Sequence, residues 1–229
     1  MNETFEKETV GKFPSLWTAW NETPIPKETV VTDNPPRLSK GLKALMVSHD
    51  GLNQNWGIQR EFDGVELDPS QTIEWGFKLN VQALPKSKQD LPGFVIYLQN
   101  GKRPLPFACF CIHTQNEGHQ WMLFNINYAK TGGHPYLVKD LEINDWHETR
   151  FVITMKPGDT LSGEVEWIFD GEPVTPEKLS NVPVALLYAD SLVIRPLIAS
   201  SPLEPTKVLV TNLFVRTNKT GKAPSPSLR

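Results

Sequence analysis

A two-residue rhythm limits what this chain can fold into. In TIEWGFKLNVQ (72–82), Ile73, Trp75, Phe77, Leu79 and Val81 fall on one side, and Thr72, Glu74, Gly76, Lys78 and Asn80 on the other. A helix would scatter those apolar residues around its circumference, whereas a strand sends alternate side chains to opposite faces. Comparable runs occur at 42–48, 56–62, 93–99, 107–114, 119–126, 147–155, 163–169, 192–199 and 207–216. Turn-forming residues separate them: Asn100-Gly101, Gly132-Gly133, Pro157-Gly158-Asp159 and Asp170-Gly171.

No long helical stripe is present. TPEKLSNV (175–182) is predicted to form one or two helical turns with Pro176 near their start. The runs therefore predict an all-β chain, a two-sheet antiparallel jelly-roll sandwich. A single domain is expected over 1–216, followed by a flexible C-terminal tail, TNKTGKAPSPSLR (217–229).

Composition narrows the partners. Of 229 residues, 39% are hydrophobic, enough for a real core, and the net charge of −3 gives no footprint for nucleic acid. No run approaches the about 18 apolar residues of a membrane span. The N-terminus shows no signal peptide, and Asn2, Asn21 and Asn218 open N-x-T triplets that matter only in a glycosylating pathway. Cys109 and Cys111 are two apart in one strand, with side chains parallel and roughly 6.6 Å apart. They are read as free, buried thiols, because a disulfide between them is geometrically awkward.

The order FEKETVGKFPSLWTAWN, VVTDNP, KGLKALMVSHDG over the first fifty residues resembles the concanavalin A-like lectin/glucanase superfamily. In particular it resembles the laminin-G-like jelly-roll domains of bacterial secreted proteins. The matching residues are Phe5, Glu6, Gly11, Pro14, Trp17 and Lys43-Ala44-Leu45. Later, DWHETRFVITM, EVEWIFDGEPV and KVLVTNLFVR resemble three strands of the same domains. The resemblance implies an extracellular or cell-envelope protein. It also implies a structural calcium held by an early acid, matched by Glu6, and by an aspartate in the last strand. That second place reads Val210-Thr211-Asn212, with no carboxylate, so no cofactor or metal is expected.

Two catalytic readings compete. Retaining glucanases of this superfamily carry Glu-x-Asp-x-(x)-Glu on one strand, with carboxyl groups about 5–5.5 Å apart. Here the series is Glu164, Glu166, Ile168, Asp170, and Asp170 falls in an Asp-Gly turn. The bland reading is a solvated strand face. A lyase reading rests on QREF (59–62), CIHTQ (111–115) and YAKTGGHPY (128–136), which resemble alginate-lyase motifs. His113 with Tyr128 or Tyr136 would abstract the proton, and Arg60 would neutralise a uronate. Cys111 stands where that family has Gln, and the spacing between the last two motifs is short. His113 and His119 flank a hairpin loop with no third metal ligand.

Seven tryptophans, at 17, 20, 56, 75, 121, 146 and 167, bear on binding. Trp75, Trp146 and Trp167 are expected in the core. Trp121 shares a strand face with Leu123 and Asn125, as Tyr97 does with Gln99. If both strands lie in the concave sheet, Trp121 and Tyr97 stand exposed there with Glu74, Lys78, Gln59, Asn125 and His113. Aromatic rings stack on sugar C–H faces, and amides and acids bind hydroxyls. The leading expectation is therefore a lectin-like, carbohydrate-binding domain that takes an oligo- or polysaccharide without cleaving it. The alternatives are a glycoside hydrolase or polysaccharide lyase of the same fold, and a structural or protein-interaction domain.

Overall fold

The computed structural model describes residues 1–22, 24–33, 35, 42–49, 56–66, 71–83, 93–100, 103–114, 120–126, 136–155, 162–174, 179–183, 188–196 and 206–219. Over 103–114, 120–126, 136–140 and 179–183 it describes backbone path and pairing. Its strands are β1 (Asn2–Glu3), β2 (Thr18–Ala19), β3 (Val30–Thr32), β4 (Ala44–His49), β5 (Ile58–Glu66), β6 (Gln71–Ala83), β7 (Gly93–Asn100) and β8 (Arg103–Thr114). Then follow β9 (Gln120–Ile126), β10 (Tyr136–Asp140), β11 (Trp146–Met155), β12 (Ser162–Phe169), β13 (Glu172–Pro173), β14 (Leu179–Pro183), β15 (Tyr188–Pro196) and β16 (Thr206–Lys219). A 3-10 turn spans Trp20–Glu22.

These strands form two antiparallel sheets, the expected jelly-roll sandwich. Sheet A runs β13-β12-β11-β6-β16-β4-β3, with β1 on β16 and β14 on β12. Sheet B runs β10-β9-β8-β7-β15-β5-β2. Each of the ten apolar runs coincides with a strand over most of its described residues. The segment read as helical is not, where it is described: Leu179–Pro183 is a strand paired to β12, and 175–178 lie outside the described residues. Over Leu179–Pro183 the edge of β12 offers unpaired backbone groups, which the segment takes up as a strand. β16 also runs three residues into the expected tail, with Thr217 against Ile73 and Asn218 against Thr72; residues 220–229 lie outside the described residues.

The core lies between the sheets. Trp75 stacks on Phe151 with centroids 4.7 Å apart, and Phe151 reaches Trp167 at 5.6 Å. Ile58, Phe94, Ile96, Leu98, Leu192 and Ile194 close over them from sheet B. Trp17 and Trp56 are core too, but Trp146 is only half-buried. It pairs with Asn80, and the residues of β11 that face inward are odd-numbered, so parity sends Trp146 to the outer face.

β16 shows why register cannot be read from alternation alone. Val208 and Val210 face the core, then Leu213 and Val215 do, so the inward parity changes within the strand. A register shift lies between Thr211 and Phe214, with Asn212 at φ +51°. One extra residue there restores the apolar face, as a bulge does.

Gly76 lies on the outer face of β6. A Cβ there would sit 2.4 Å from the Thr149 carbonyl oxygen and 3.1 Å from Phe214. Backbone cannot yield as a side-chain tip can, so Gly76→Ala is expected to cost about 1–3 kcal/mol or more in a urea melt. Unchanged stability would show that β6 and β11 separate more easily than this packing implies.

Candidate functional site

The sequence-derived site residues divide between the two sheets. Glu74 and Lys78 belong to sheet A, on its outer face, and do not join the others. Glu74 is 1% exposed and fully engaged. Its Oε1 accepts from Arg150 Nη1 at 3.3 Å, and its Oε2 accepts from Arg216 Nε at 2.9 Å and Asn218 Nδ2 at 2.8 Å. Those partners reach it from β11 and β16 on either side. A carboxylate so surrounded ties three strands together and has little left for a ligand. Lys78 pairs with Glu148 across β6 and β11 at 3.5 Å. Glu74→Ala, which strands two arginines, is expected to lower stability by about 2–3 kcal/mol in thermal or urea melts.

The acids of β12 also face out from sheet A. Glu164 pairs with Thr154 and Glu166 with Val152, and both are half-buried. Asp170 sits in the turn at φ +50°, followed by Gly171 at +87°, the two left-handed residues of a tight hairpin. Its Oδ1 accepts from the Glu148 amide at 2.8 Å, and its Oδ2 lies 2.8 Å from His147 Nδ1. The other ring nitrogen of His147 lies 2.9 Å from the Glu142 carbonyl. Asp170 therefore clasps a hairpin to its neighbour.

Sheet B brings the remaining residues together. Gln59 pairs with Val193, Val193 with Tyr97, Tyr97 with Cys109, Cys109 with Asn125, and Asn125 with Tyr136. Directly opposed residues of antiparallel strands share a face, so this row crosses six strands on the side away from the core. A parallel row holds Gly93, His113, Trp121 and Asp140. Register thus carries Gln59, Tyr97, His113, Trp121 and Asn125 to one outer face. Tyr128 and His119 lie outside the described residues, as do the side chains of both cysteines.

Two expectations change. Tyr97 is 2% exposed, so it is not an open stacking surface. It forms a small apolar patch with Val95 and Val193, covered by Trp20. Arg60 does not reach this face. It pairs with Leu192 in the ladder and so has the inward parity of Ile58 and Phe62. There it reaches Glu3 of the other sheet at 3.8 Å and donates to the Glu61 carbonyl. It also lines a hollow of about 510 Å³ with Met1, Asn2, Glu61, Phe62 and Asp63. Burial and the Arg60 charge lower the pKa of the Met1 ammonium beside it.

Among the residues whose side chains are described, Arg195 is the cation on the outer face of sheet B, and sequence reasoning passed over it. Its guanidinium carbon lies 4.8 Å from the Trp20 ring centroid and 5.8 Å from that of Tyr97. The Trp20 indole donates to Gln99 Oε1 at 3.3 Å, and the Trp20 amide donates to the Gly57 carbonyl at 2.8 Å. Ser191 donates to the Gln99 carbonyl at 3.3 Å. The available signal was one charge in the apolar run LVIRP, in the parity of Val193.

The calcium implied by the resemblance does not fit these residues. The Lys43 ammonium donates to the carbonyls of Glu6 at 3.0 Å and Glu8 at 2.7 Å. Thr211, at the bulge of β16, donates to the Lys43 carbonyl at 2.8 Å. Lysine thus ties the early acidic loop to the last strand, and a second cation there would be repelled by it. Among the described residues, no three His, Cys, Asp or Glu side chains gather to hold a metal. Lys43→Met is expected to cost roughly 1–2 kcal/mol, while calcium and EDTA leave the melting temperature of the wild type unchanged. A calcium-dependent melting temperature would contradict this.

No family model matches the chain, and no curated protein matches it in sequence. Solved structures do match in shape. One is the carbohydrate esterase vb_24B_21 from Shiga toxin-encoding bacteriophage phi24B, at TM-score 0.57 and 16% identity, over 96% of this chain and 98% of that one. Another is alginate lyase Aly36B, at 0.58 and 11%, over 94% and 96%. A third is an endo-beta-1,4-glucuronan lyase from the fungus Trichoderma reesei, at 0.56 and 12%, over 96% and 97%. The chain shares their concanavalin A-like jelly-roll fold across nearly its whole length. At such identity the likeness speaks of fold. No helix among the described residues is long and apolar enough to cross a membrane.

Proposed function

We propose that the outer face of sheet B binds an oligo- or polysaccharide without cleaving it. The observation that carries this reading is the register: rows across adjacent strands gather Gln59, Asn125, His113 and Trp121 on one face, over a floor that includes the buried Tyr97. Aromatic and amide side chains are the groups that recognise pyranose rings and their hydroxyls. The carboxylate pair that would serve a hydrolase, Glu164 and Glu166, stands on the outer face of the other sheet. The laminin-G-like resemblance of the first fifty residues is compatible with this lectin-like reading, as is a place outside the cell or in its envelope.

A lyase or other glycan-cleaving enzyme is the second reading. It is favoured by near full-length likeness to structures whose names describe alginate lyase, glucuronan lyase and carbohydrate esterase. The ladder weighs against His113 with Tyr136, while Tyr128, the alternative, lies outside the described residues. His113 and Tyr136 lie two strands and four residues apart, about 16 Å between backbones at ordinary spacings. Arg60, the expected uronate partner, has the inward parity.

A glycan panel combined with reducing-end and unsaturated-sugar assays separates the readings. Binding without turnover is expected, with Trp121→Ala weakening affinity about tenfold, or about 1.4 kcal/mol. Glu74→Gln, away from that face, is expected to leave affinity intact. Turnover lost on Glu166→Gln would establish a hydrolase, and turnover lost on His113→Ala a lyase. Silence in every assay would point to a structural or protein-interaction domain.

A further inference from the structure

Resting on the glycan-binding reading, we infer that this site selects acidic sugars, and that Arg195 reads the acid group, a carboxylate or a sulfate ester. Arg195 is half-buried on the outer face of sheet B. Its Nε is buried without a hydrogen-bond partner, and among the described residues no carboxylate pairs with the guanidinium. The other arginines whose surroundings are described are compensated: Arg150 and Arg216 by Glu74, Arg60 by Glu3. A cation taken partly out of water normally acquires an anion. Around Arg195 the described residues supply aromatic faces, and the anion is assigned to a ligand.

The surroundings hold the guanidinium in place. It lies over the Trp20 and Tyr97 rings, and the apolar floor consists of Val95, Tyr97 and Val193. Gln99 and the Gly57 carbonyl anchor Trp20 by its indole and its amide. Gly57 has no side chain because there is no room for one. A Cβ there would lie 2.9 Å from the Cβ of Arg195 and 3.2 Å from that of Trp20. A stacked guanidinium has already lost much of its rotamer freedom, so binding an anion requires little further ordering. Its planar fork suits a carboxylate or a sulfate, and a recessed apolar setting strengthens the attraction.

Arg195 also lies within reach of the rest of the face. It pairs with Val95, which continues through Cys111 to Leu123, the row beside the one that holds His113 and Trp121. Arg195 and Trp121 are then three strands and two residues apart, about 16 Å along the sheet. One polymer lying across the strands would span both positions.

The test is binding of three polymer groups to the full chain by calorimetry at low salt. They are neutral glucan, mannan and xylan; polygalacturonate and polymannuronate; and dextran sulfate. Wild type is expected to bind at least one acidic polymer ten or more times tighter than any neutral one, with affinity falling as salt rises. Arg195→Gln should abolish that preference. Arg195→Lys should restore little of it, because an ammonium cannot stack or fork as guanidinium does. Gly57→Ala, which displaces the stack without removing the charge, should weaken acidic binding severalfold. Melting temperatures of all variants check that they fold. Preference for polyuronate alone would identify a carboxylate, and for dextran sulfate alone a sulfate ester. Equal binding of neutral and acidic polymers, unmoved by Arg195→Gln, would overturn the inference and leave the glycan reading standing. A preference that survives Arg195→Gln would overturn the role of Arg195. Binding of none of the polymers would overturn both.

Discussion

Strand β6 sends its side chains to two very different surroundings, and the arrangement of the sandwich depends on keeping them apart. On the inner side, Trp75 and Phe77 pack with Phe151 and Trp167, burying several large rings whose transfer from water is the main driving force for folding. On the outer side of the same strand Glu74 gathers Arg150, Arg216 and Asn218. A slip of one residue would put that carboxylate among the indoles and the indoles in water. The penalty for both errors holds the central ladder in register.

This commitment decides where a ligand can go. Around β6, sheet A is engaged on both faces, by core rings within and by an ion-pair network without. Sheet B has its core face filled by Ile58, Phe94, Ile96, Leu192 and Ile194, but its outer face is assembled differently. There the edge segment β2 and the turn after it carry Trp20 over β7 and β15, and Arg195 lies against that ring and Tyr97. By register Gln59, His113, Trp121 and Asn125 share this face with Arg195, which has no carboxylate partner among the described residues. The N-terminal segment supplies this cover at one place and, through Lys43, is tied to the last strand at another.

Much of the fold was legible in the sequence because amphipathic alternation is a local signal. Each of the ten apolar runs coincides with a strand over most of its described residues, and the Asp170-Gly171 turn has its two left-handed residues. The short pieces were not legible. β1, β2, β3, β10, β13 and β14 have too few residues for a rhythm, and exist because a neighbouring strand offers unpaired backbone groups. The bulge at Asn212 was hidden for another reason: a change of parity in an apolar run looks like noise until a partner strand shows which residues face it. In the candidate site, grouping Trp121, Asn125, His113, Tyr97 and Gln59 by parity agrees with the ladder, whereas adding Glu74 and Lys78 to them required knowing that β6 joins the other sheet.

The sequence by itself determined which residues of each strand stand together, because the extended backbone turns each side chain opposite its neighbour. It determined likewise that two sheets must meet, since so many one-sided strands cannot bury their apolar faces singly. Which strands share a sheet, and which parity of each faces inward, was decided only by tertiary pairing. Arg60 and Arg195 show the difference. Each is a lone cation in an apolar run, yet one is directed to the space between the sheets and meets Glu3, while the other lies on the outer face against Trp20. Backbone hydrogen bonds between strands distant in sequence set that choice, and alternation within a strand carries no information about it.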